Sequence, residues 1–172
     1  IAINGLGRIG RATFKIVTSI PELELVAIND LVAADNLAYL LNYDTVYGRF
    51  PNRVTAADGD LTMSDRLYRV FSERDPARLP WGELGVDLVF ECTGLFTTKD
   101  ELTRHLQAGA KRVILSAPAQ DHDIPTVVYG VNPYRESDGP ILSCASCTTN
   151  CIAPIVEIID RRFGIQKAVM NT

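Results

Sequence analysis

Short apolar runs alternate along the chain with segments whose apolar residues recur at helical spacing. Six runs have the length and composition of strands: 1–3, 23–29, 86–91, 113–115, 126–131 and 141–142. Helical spacing predicts four helices: one that opens near Gly10 and ends at Pro21, and three over 35–41, 99–108 and 152–163. Strands that alternate with helices are typical of an α/β fold with a parallel sheet.

The pattern changes between Tyr47 and Phe71. Short segments at 53–55 and 67–71, separated by the turn-forming residues 57–60, predict small antiparallel strands. We therefore predict a doubly wound, mostly parallel sheet of the Rossmann type that carries a small antiparallel insertion.

A glycine motif directly follows the first predicted strand. Gly5, Gly7 and Gly10 form G-x-G-x-x-G, and the second strand ends in Asp30, twenty residues after Gly10. In dinucleotide-binding folds, such glycines permit a tight turn, close approach to a pyrophosphate and close packing of helix against strand. The helix N-terminus then faces the phosphates, and the acidic residue can hold ribose hydroxyls. Strand, glycines, helix, strand and acid together predict a dinucleotide site.

The most chemically suggestive stretch is 143–151, Ser-Cys-Ala-Ser-Cys-Thr-Thr-Asn-Cys, between a predicted strand and a predicted helix. Cys147 thus falls where a helix begins, and the unpaired N–H groups there favour a thiolate. Thiolates are the nucleophilic form of cysteine. A cysteine among apolar residues is more often an inert core residue, and the spacing of Cys144 and Cys147 also fits a redox pair.

The residues at the other strand ends favour a nucleophilic role for Cys147. A metal site would need further ligands, and only Cys92, His105 and His122 remain, without paired spacing. Small or polar residues follow the predicted strands: Gly5, Gly7, Asn29, Asp30, Thr93, Gly94, Ser116, Ala117, Ser146 and Cys147. Ligands of open parallel sheets bind at these carboxyl ends, so we expect the residues to share one crevice.

Charge and composition exclude several classes of protein. The net charge of −4 and a pI near 5.2, without a dense basic cluster, argue against nucleic-acid binding. No apolar run approaches the length of a membrane span, and the chain starts at Ile1 in a strand-like segment with no signal-peptide pattern. Four cysteines without a disulfide-type spacing suit a reducing compartment. We expect a cytoplasmic protein that has lost a few N-terminal residues.

Taken together, the motifs resemble those of phosphorylating glyceraldehyde-3-phosphate dehydrogenases over the whole chain. The segments that carry the resemblance are 4–11 (Asn-Gly-Leu-Gly-Arg-Ile-Gly-Arg), 27–30, 43–44, 73–76, 93–94, 116–118 and 145–151 (Ala-Ser-Cys-Thr-Thr-Asn-Cys). The resemblance implies an NAD-binding Rossmann domain over 1–146. It implies that 147–172 begin an α+β catalytic domain with its first helix and strand.

The resemblance also implies a reaction, partners and residue roles. The reaction is NAD-dependent oxidation of glyceraldehyde 3-phosphate to 1,3-bisphosphoglycerate, a step of glycolysis and gluconeogenesis, with inorganic phosphate as co-substrate, in a homotetramer. Cys147 matches the nucleophile, and Ser146 and Thr148 match contacts to substrate or phosphate. The positions that match cofactor contacts are Gly5, Gly7, Arg8, Ile9, Gly10, Asp30, Arg74, Thr93, Gly94 and Ser116. Asp30 favours NAD because an acid there repels the 2′-phosphate of NADP.

Two departures from the family pattern keep alternatives open. The chain stops before the position of the family's catalytic histidine, and neither His105 nor His122 matches that position, so we expect part of a longer enzyme that is inactive alone. Cys144 stands where the family commonly has asparagine. The alternatives are an erythrose-4-phosphate dehydrogenase and a non-catalytic nucleotide-binding or redox-sensing module that uses Cys144 and Cys147.

Overall fold

The computed structural model describes residues 1–171, except for the side chain of Glu136. Thr172, the last residue of the predicted catalytic segment, lies outside the described part. The elements in chain order are β1 (Ala2–Asn4), α1 (Arg8–Val17), β2 (Ala27–Asn29), α2 (Ala34–Asn42), β3 (Tyr43–Asp44), β4 (Gly48–Arg49), β5 (Val54–Ala57), β6 (Asp60–Met63), β7 (Arg66–Phe71), β8 (Leu88–Glu91), α3 (Lys99–Gln107), β9 (Arg112–Leu115), β10 (Ile141–Ser143) and α4 (Cys147–Phe163). Two short 3₁₀ turns, Pro76–Arg78 and Glu136–Asp138, join these elements.

The sheet has the strand order of a doubly wound fold. Its eight strands lie in the order β10-β9-β8-β1-β2-β7-β6-β5, and the pairs from β10 to β7 are all parallel. The chain moves outward from β1 through β2 to β7, then returns to β8 on the other side of β1. Such a reversal creates a crevice at the carboxyl ends of the two central strands. The predicted Rossmann-type α/β fold is therefore confirmed.

The antiparallel insertion is present, but it is joined to the main sheet. β5 and β6 form a hairpin, and β6 pairs with β7 in antiparallel fashion. β7 also pairs in parallel with β2, so the predicted strand at 67–71 belongs to both parts. Asp58 and Gly59 have positive φ angles of 54° and 88° at the hairpin turn, as a tight two-residue connection requires.

Apolar side chains fill a layer on each face of the sheet. Phe14 and Val17 of α1 pack with Ile3 and Ile28 in one buried cluster. The opposite face is covered where Leu102 of α3 packs in a cluster with buried residues of β9 and β10. The amphipathic helices thus bury their apolar stripes against the strands, which is the packing that the helical spacing predicts.

Two predicted strands do not form. Thr126 makes only an isolated bridge to Ser143, after which the Val128 N–H bonds to the Asn132 side chain and the chain turns at Gly130, where φ is 78°. The strand prediction for 126–131 is therefore wrong, because a local side-chain acceptor and a turn replace the ladder. No strand follows α4 in residues 164–171, where no neighbouring strand offers the hydrogen bonds that a strand needs.

Helix α4 begins at Cys147, where the strand-to-helix pattern predicts a helix start, and it contains the apolar helical segment 152–163; none of its residues is buried. Its apolar residues Ile155, Ile159 and Phe163 face solvent. Within residues 1–171, no helix is both long and apolar enough to cross a lipid bilayer.

Candidate cofactor cleft and nucleophile

The glycine turn after β1 is shaped by close contacts. Gly5 has φ of +88°, and a Cβ there would lie 2.8 Å from the Thr93 backbone nitrogen. A Cβ on Gly10 would lie 1.9 Å from the Gly5 carbonyl oxygen, so α1 touches the turn with no room for a side chain. Gly7, which caps α1, has nothing within 4 Å of its Cβ position. Gly7 therefore leaves space for a ligand at the helix N-terminus.

Asp30 is anchored at the end of β2 by the glycine turn itself. Its carboxylate accepts hydrogen bonds from the Leu6 N–H at 2.6 Å and from the Val32 N–H at 2.8 Å. An ionised carboxylate has about four acceptor positions, so two remain for another donor. A carboxylate with a fixed orientation beside a glycine turn suits the hydroxyls of a ribose.

A cleft of about 330 Å³ lies between these features, within the size range of small-molecule sites. Its lining residues are Asn4, Gly5, Gly7, Asn29, Asp30, Leu31, Glu73, Arg74, Cys92, Thr93, Leu95 and Phe96. The structure thus brings together five of the predicted cofactor residues: Gly5, Gly7, Asp30, Arg74 and Thr93.

Four other predicted cofactor residues surround the cleft without lining it. The Arg8 side chain lies 3.9 Å from the Asp44 carboxylate, and the Ile9 side chain is exposed. Gly10 is buried beneath the turn. Gly94, with φ of +72°, follows Thr93 in the loop after β8.

Ser116, the last predicted cofactor residue, follows β9, next to the strand that leads to Cys92. The Ser116 N–H donates to the Glu91 carbonyl at 3.0 Å.

Burial raises the pKa of the Cys92 thiol to about 11. Cys92 therefore has the properties of an inert core cysteine, the role that was the main alternative for Cys147.

Cys147 is the first residue of α4, as the strand-to-helix pattern predicts, and it is exposed. The turn before it is tight, since Ala145 adopts a left-handed φ of +62°. The Ser146 hydroxyl accepts from the Thr149 N–H at 3.0 Å and lies 2.9 Å from the Thr148 hydroxyl. The sulfur and two hydroxyls therefore lie together at the positive end of a helix, where anions are stabilised.

Cys147 and its neighbours lie apart from the lining of the cleft. Both sites are at the carboxyl edge of the sheet, but β10, which leads to Cys147, is three strands from β1. At about 4.8 Å per strand, a ligand must extend along the edge to reach from Gly5 to Cys147.

All four cysteines are free thiols. Cys144 is solvent-exposed, yet burial around its sulfur raises the pKa of its thiol above the ordinary value. Among the side chains that the structure describes, no cluster of three or more His, Cys, Asp or Glu residues could hold a metal ion.

The sequence analysis placed Asn29 at the shared crevice but missed Asn4, which lines the cleft, and Glu91, which supports it. Asn4, Asn29 and Glu91 are the last residues of β1, β2 and β8 and are buried. A detectable signal existed, because each is a polar residue that ends an otherwise apolar run. Sequence alone did not indicate that His105 contacts Glu91, since His105 lies in α3, 14 residues after Glu91, and no motif includes both residues.

Comparison with known proteins agrees with this geometry. Residues 1–99 match the family model described as glyceraldehyde 3-phosphate dehydrogenase, NAD binding domain, and residues 146–172 match the model of the C-terminal domain of the same enzyme. The whole chain is 49% identical to a glyceraldehyde-3-phosphate dehydrogenase of Mycoplasma pneumoniae and covers 51% of it.

Two further relatives also match the chain over its whole length. It is 47% identical to a glyceraldehyde-3-phosphate dehydrogenase of Clostridium pasteurianum and 46% identical to glyceraldehyde-3-phosphate dehydrogenase 1 of Bacillus subtilis, covering 52% of each. The chain spans about half the length of the curated relatives it matches. With its first 99 residues matching the NAD-binding domain, the chain belongs to the glyceraldehyde-3-phosphate dehydrogenase family.

Proposed function

We propose that the protein binds NAD in the cleft at the ends of β1, β2 and β8. The pyrophosphate lies at the N-terminus of α1, where Gly7 leaves open space and the backbone N–H groups of Arg8 and Ile9 are unpaired at the start of the helix. Asp30 accepts hydrogen bonds from the adenosine ribose, while Arg74, Thr93, Gly94 and Ser116 contact other parts of the cofactor.

The observation that carries this proposal is the joint placement of Gly7 and Asp30. Gly7 leaves the N-terminus of α1 open, and the Asp30 carboxylate has free acceptor positions in the same cleft. NAD supplies a hydride acceptor when it is bound. The residues that would hold NAD follow one edge of the sheet, from the glycine turn after β1 to Ser116 after β9, and β10 leads to Cys147 at the same edge.

The reaction that fits Cys147 is the phosphorylating oxidation of an aldehyde phosphate, glyceraldehyde 3-phosphate. The sulfur attacks the aldehyde carbon, and the carbonyl oxygen gains a proton to give a thiohemiacetal. With NAD bound as the hydride acceptor, loss of a hydride from this carbon and of the hydroxyl proton would leave a thioester on Cys147. Inorganic phosphate attacks the thioester, and cleavage of the C–S bond releases the acyl phosphate and the thiolate.

Ser146 and Thr148 support the anionic partners of this reaction. Their hydroxyls lie 2.9 Å apart beside Cys147 and can donate to a phosphate at the helix N-terminus. The reaction also needs a proton acceptor. His105 is fully buried and already hydrogen-bonded, so it cannot serve at the exposed sulfur, and we expect the base in the C-terminal domain of the complete enzyme.

The wider organisation follows from the same proposal. Residues 1–146 form the NAD-binding domain and residues 147–172 begin the catalytic domain, a division supported by the family-model match that starts at 146 and by the exposed surface of α4. The complete protein works as a homotetramer in the cytoplasm, a location supported by four free thiols.

Erythrose 4-phosphate is the alternative substrate, since the related dehydrogenase resembles this family over the same motifs. The redox-module alternative has less support, because the raised pKa of Cys144 reduces the thiolate that would attack a partner sulfur.

Calorimetric titration with NAD and with NADP tests the cofactor proposal directly. NAD should bind at least about tenfold more tightly, and Asp30→Gly should reduce that preference by removing the acid that repels the 2′-phosphate. Unchanged selectivity in the Asp30 variant would remove this residue from the proposed site.

NADH formation by the complete protein tests the reaction. Glyceraldehyde 3-phosphate with inorganic phosphate should be oxidised, and Cys147→Ser should lose activity by several orders of magnitude, with Cys151→Ser as the matched control. Faster turnover of erythrose 4-phosphate would change the assigned substrate. Full activity of the Cys147 variant would overturn the mechanism.

A further inference from the structure

Three polar residues form a ladder across the carboxyl ends of the central strands. Asn29, Asn4 and Glu91 are the last residues of β2, β1 and β8, and they are register partners in the two parallel pairings. All three are buried, with 5%, 1% and 0% of their surface exposed. We refer to these three residues as the strand-end ladder. Asn29 donates to the Asn4 carbonyl oxygen Oδ1 at 2.7 Å, and Asn4 donates to the Glu91 carboxylate at 2.5 Å.

Four polar groups contact the Glu91 carboxylate. The Oε1 oxygen receives the Thr93 backbone N–H at 2.8 Å and the Thr93 hydroxyl at 2.5 Å. The Oε2 oxygen contacts Asn4 Nδ2 and, at 2.9 Å, His105 Nε2. Each oxygen of this buried carboxylate thus has two polar neighbours, which fill its four acceptor positions.

The tautomer of His105 follows from its other partner. The Trp81 indole N–H, which can only donate, lies 3.0 Å from His105 Nδ1. Nδ1 must therefore accept, so the ring proton is on Nε2 and points at Glu91. Trp81 and His105 are both fully buried, and neither lines the cleft.

The opposite end of the ladder reaches the loop after β7. Asn29 Nδ2 donates to the Glu73 carbonyl at 2.8 Å, and Asn29 Oδ1 accepts from the Glu73 N–H at 2.8 Å. Asn4, Asn29, Glu73 and Thr93 all line the cleft. One chain of hydrogen bonds thus fixes both walls of the cleft to a buried carboxylate.

We propose that Glu91 is a positioning residue for NAD, which holds Thr93 and the strand-end ladder in the binding geometry, and that His105 orients Glu91 from behind. The proposal rests on the proposed binding of NAD in this cleft. Neither Glu91 nor His105 lines the cleft, so their effect on the cofactor passes through Thr93 and Asn4.

Substitutions at His105 give the sharpest test, because this residue does not line the cleft. His105→Leu removes the donor to Glu91 and the acceptor for Trp81, whereas His105→Gln restores one donor and one acceptor on a planar amide. Glu91→Gln removes the anion and places a donor against the existing donors. We expect His105→Leu and Glu91→Gln to weaken NAD binding by roughly tenfold, and His105→Gln to recover most of it.

Two controls separate positioning from general loss of stability. Leu102→Ala opens a cavity in the core cluster beneath the same helix without touching the ladder. Glu24→Gln removes an exposed carboxylate that pairs with Arg66. Both should bind NAD within about twofold of the parent protein at a temperature well below their melting transitions.

Titration calorimetry measures the NAD affinities, and emission from Trp81, the only tryptophan of the chain, reports the bond to His105 without NAD. A shifted Trp81 emission with weakened NAD binding in His105→Leu, reversed in His105→Gln, supports the proposal. Parent-like NAD affinity in both His105→Leu and Glu91→Gln overturns it, as does an equal loss in Leu102→Ala.

If the parent protein fails to bind NAD, the proposed function fails, and hydrogen exchange at the Thr93 amide then decides the positioning role. Protection of this amide in the parent and faster exchange in His105→Leu would support the role of Glu91. Equal exchange in the two proteins would overturn it.

Discussion

At the scale of single residues, the three motif glycines have different physical roles. Gly5 requires a positive φ, Gly10 packs against the turn, and Gly7 alone has open space around its Cβ position. The common motif therefore combines a folding requirement with a binding requirement, and substitution can separate them.

Alanine at Gly10 should destabilise the fold by about 1–3 kcal/mol, because the added methyl overlaps the Gly5 carbonyl. Alanine at Gly7 should cost less than about 1 kcal/mol but weaken NAD binding by at least about tenfold, because the methyl occupies the space next to the pyrophosphate. Denaturant unfolding and NAD titration of both variants check this contrast. Equal losses of stability would contradict it.

Cys92 should make the fold sensitive to alkaline pH. Burial raises the pKa of its thiol from 9.0 to about 11, so between these values the unfolded chain releases a proton that the folded chain retains. Stability that is present below pH 9 is thus lost as the pH rises toward 11, by up to about 2–3 kcal/mol. The difference in unfolding free energy between about pH 8 and pH 10.5 should be smaller in Cys92→Ala. The same dependence in both proteins would exclude Cys92 as its source.

At the scale of elements, helices with amphipathic spacing were predicted well, and strands less so. Thr98 caps the N-terminus of α3 and forms a capping box with Glu101, so a local pattern defines the helix start. The run at 126–131 has strand composition but contacts the sheet at only one bridge. Strand formation depends on a distant partner, which composition does not describe.

Helix α4 is the element most independent of the rest. None of its residues is buried, so a chain that ends at residue 146 should keep its melting temperature within about 2 °C of the parent value. Thermal unfolding followed by circular dichroism measures this difference. A decrease of more than about 5 °C would show that α4 stabilises the NAD-binding unit and would contradict the proposed division at 146.

At the scale of the whole molecule, the strand order brings the site together. β1 and β8 are neighbours although many residues separate them in sequence, and their pairing places Gly5 against Thr93. The same order places β10 at the edge of the sheet, so Cys147 lies at a distance from the glycine turn. The sequence predicted one crevice shared by all strand ends. The structure instead has a cleft at the ends of the central strands and places the nucleophile further along the same edge of the sheet.

The sequence by itself determined the features that depend on neighbours in the chain. The glycine turn, the acid at Asp30 and the helix start at Cys147 follow from local steric and hydrogen-bonding requirements, and local patterns encode these directly. Only the tertiary structure decided that Asn29, Asn4 and Glu91 share one ladder and that His105 lies behind it. Those contacts depend on strand pairing and burial between distant segments, where the free energy belongs to the assembled sheet rather than to any one segment.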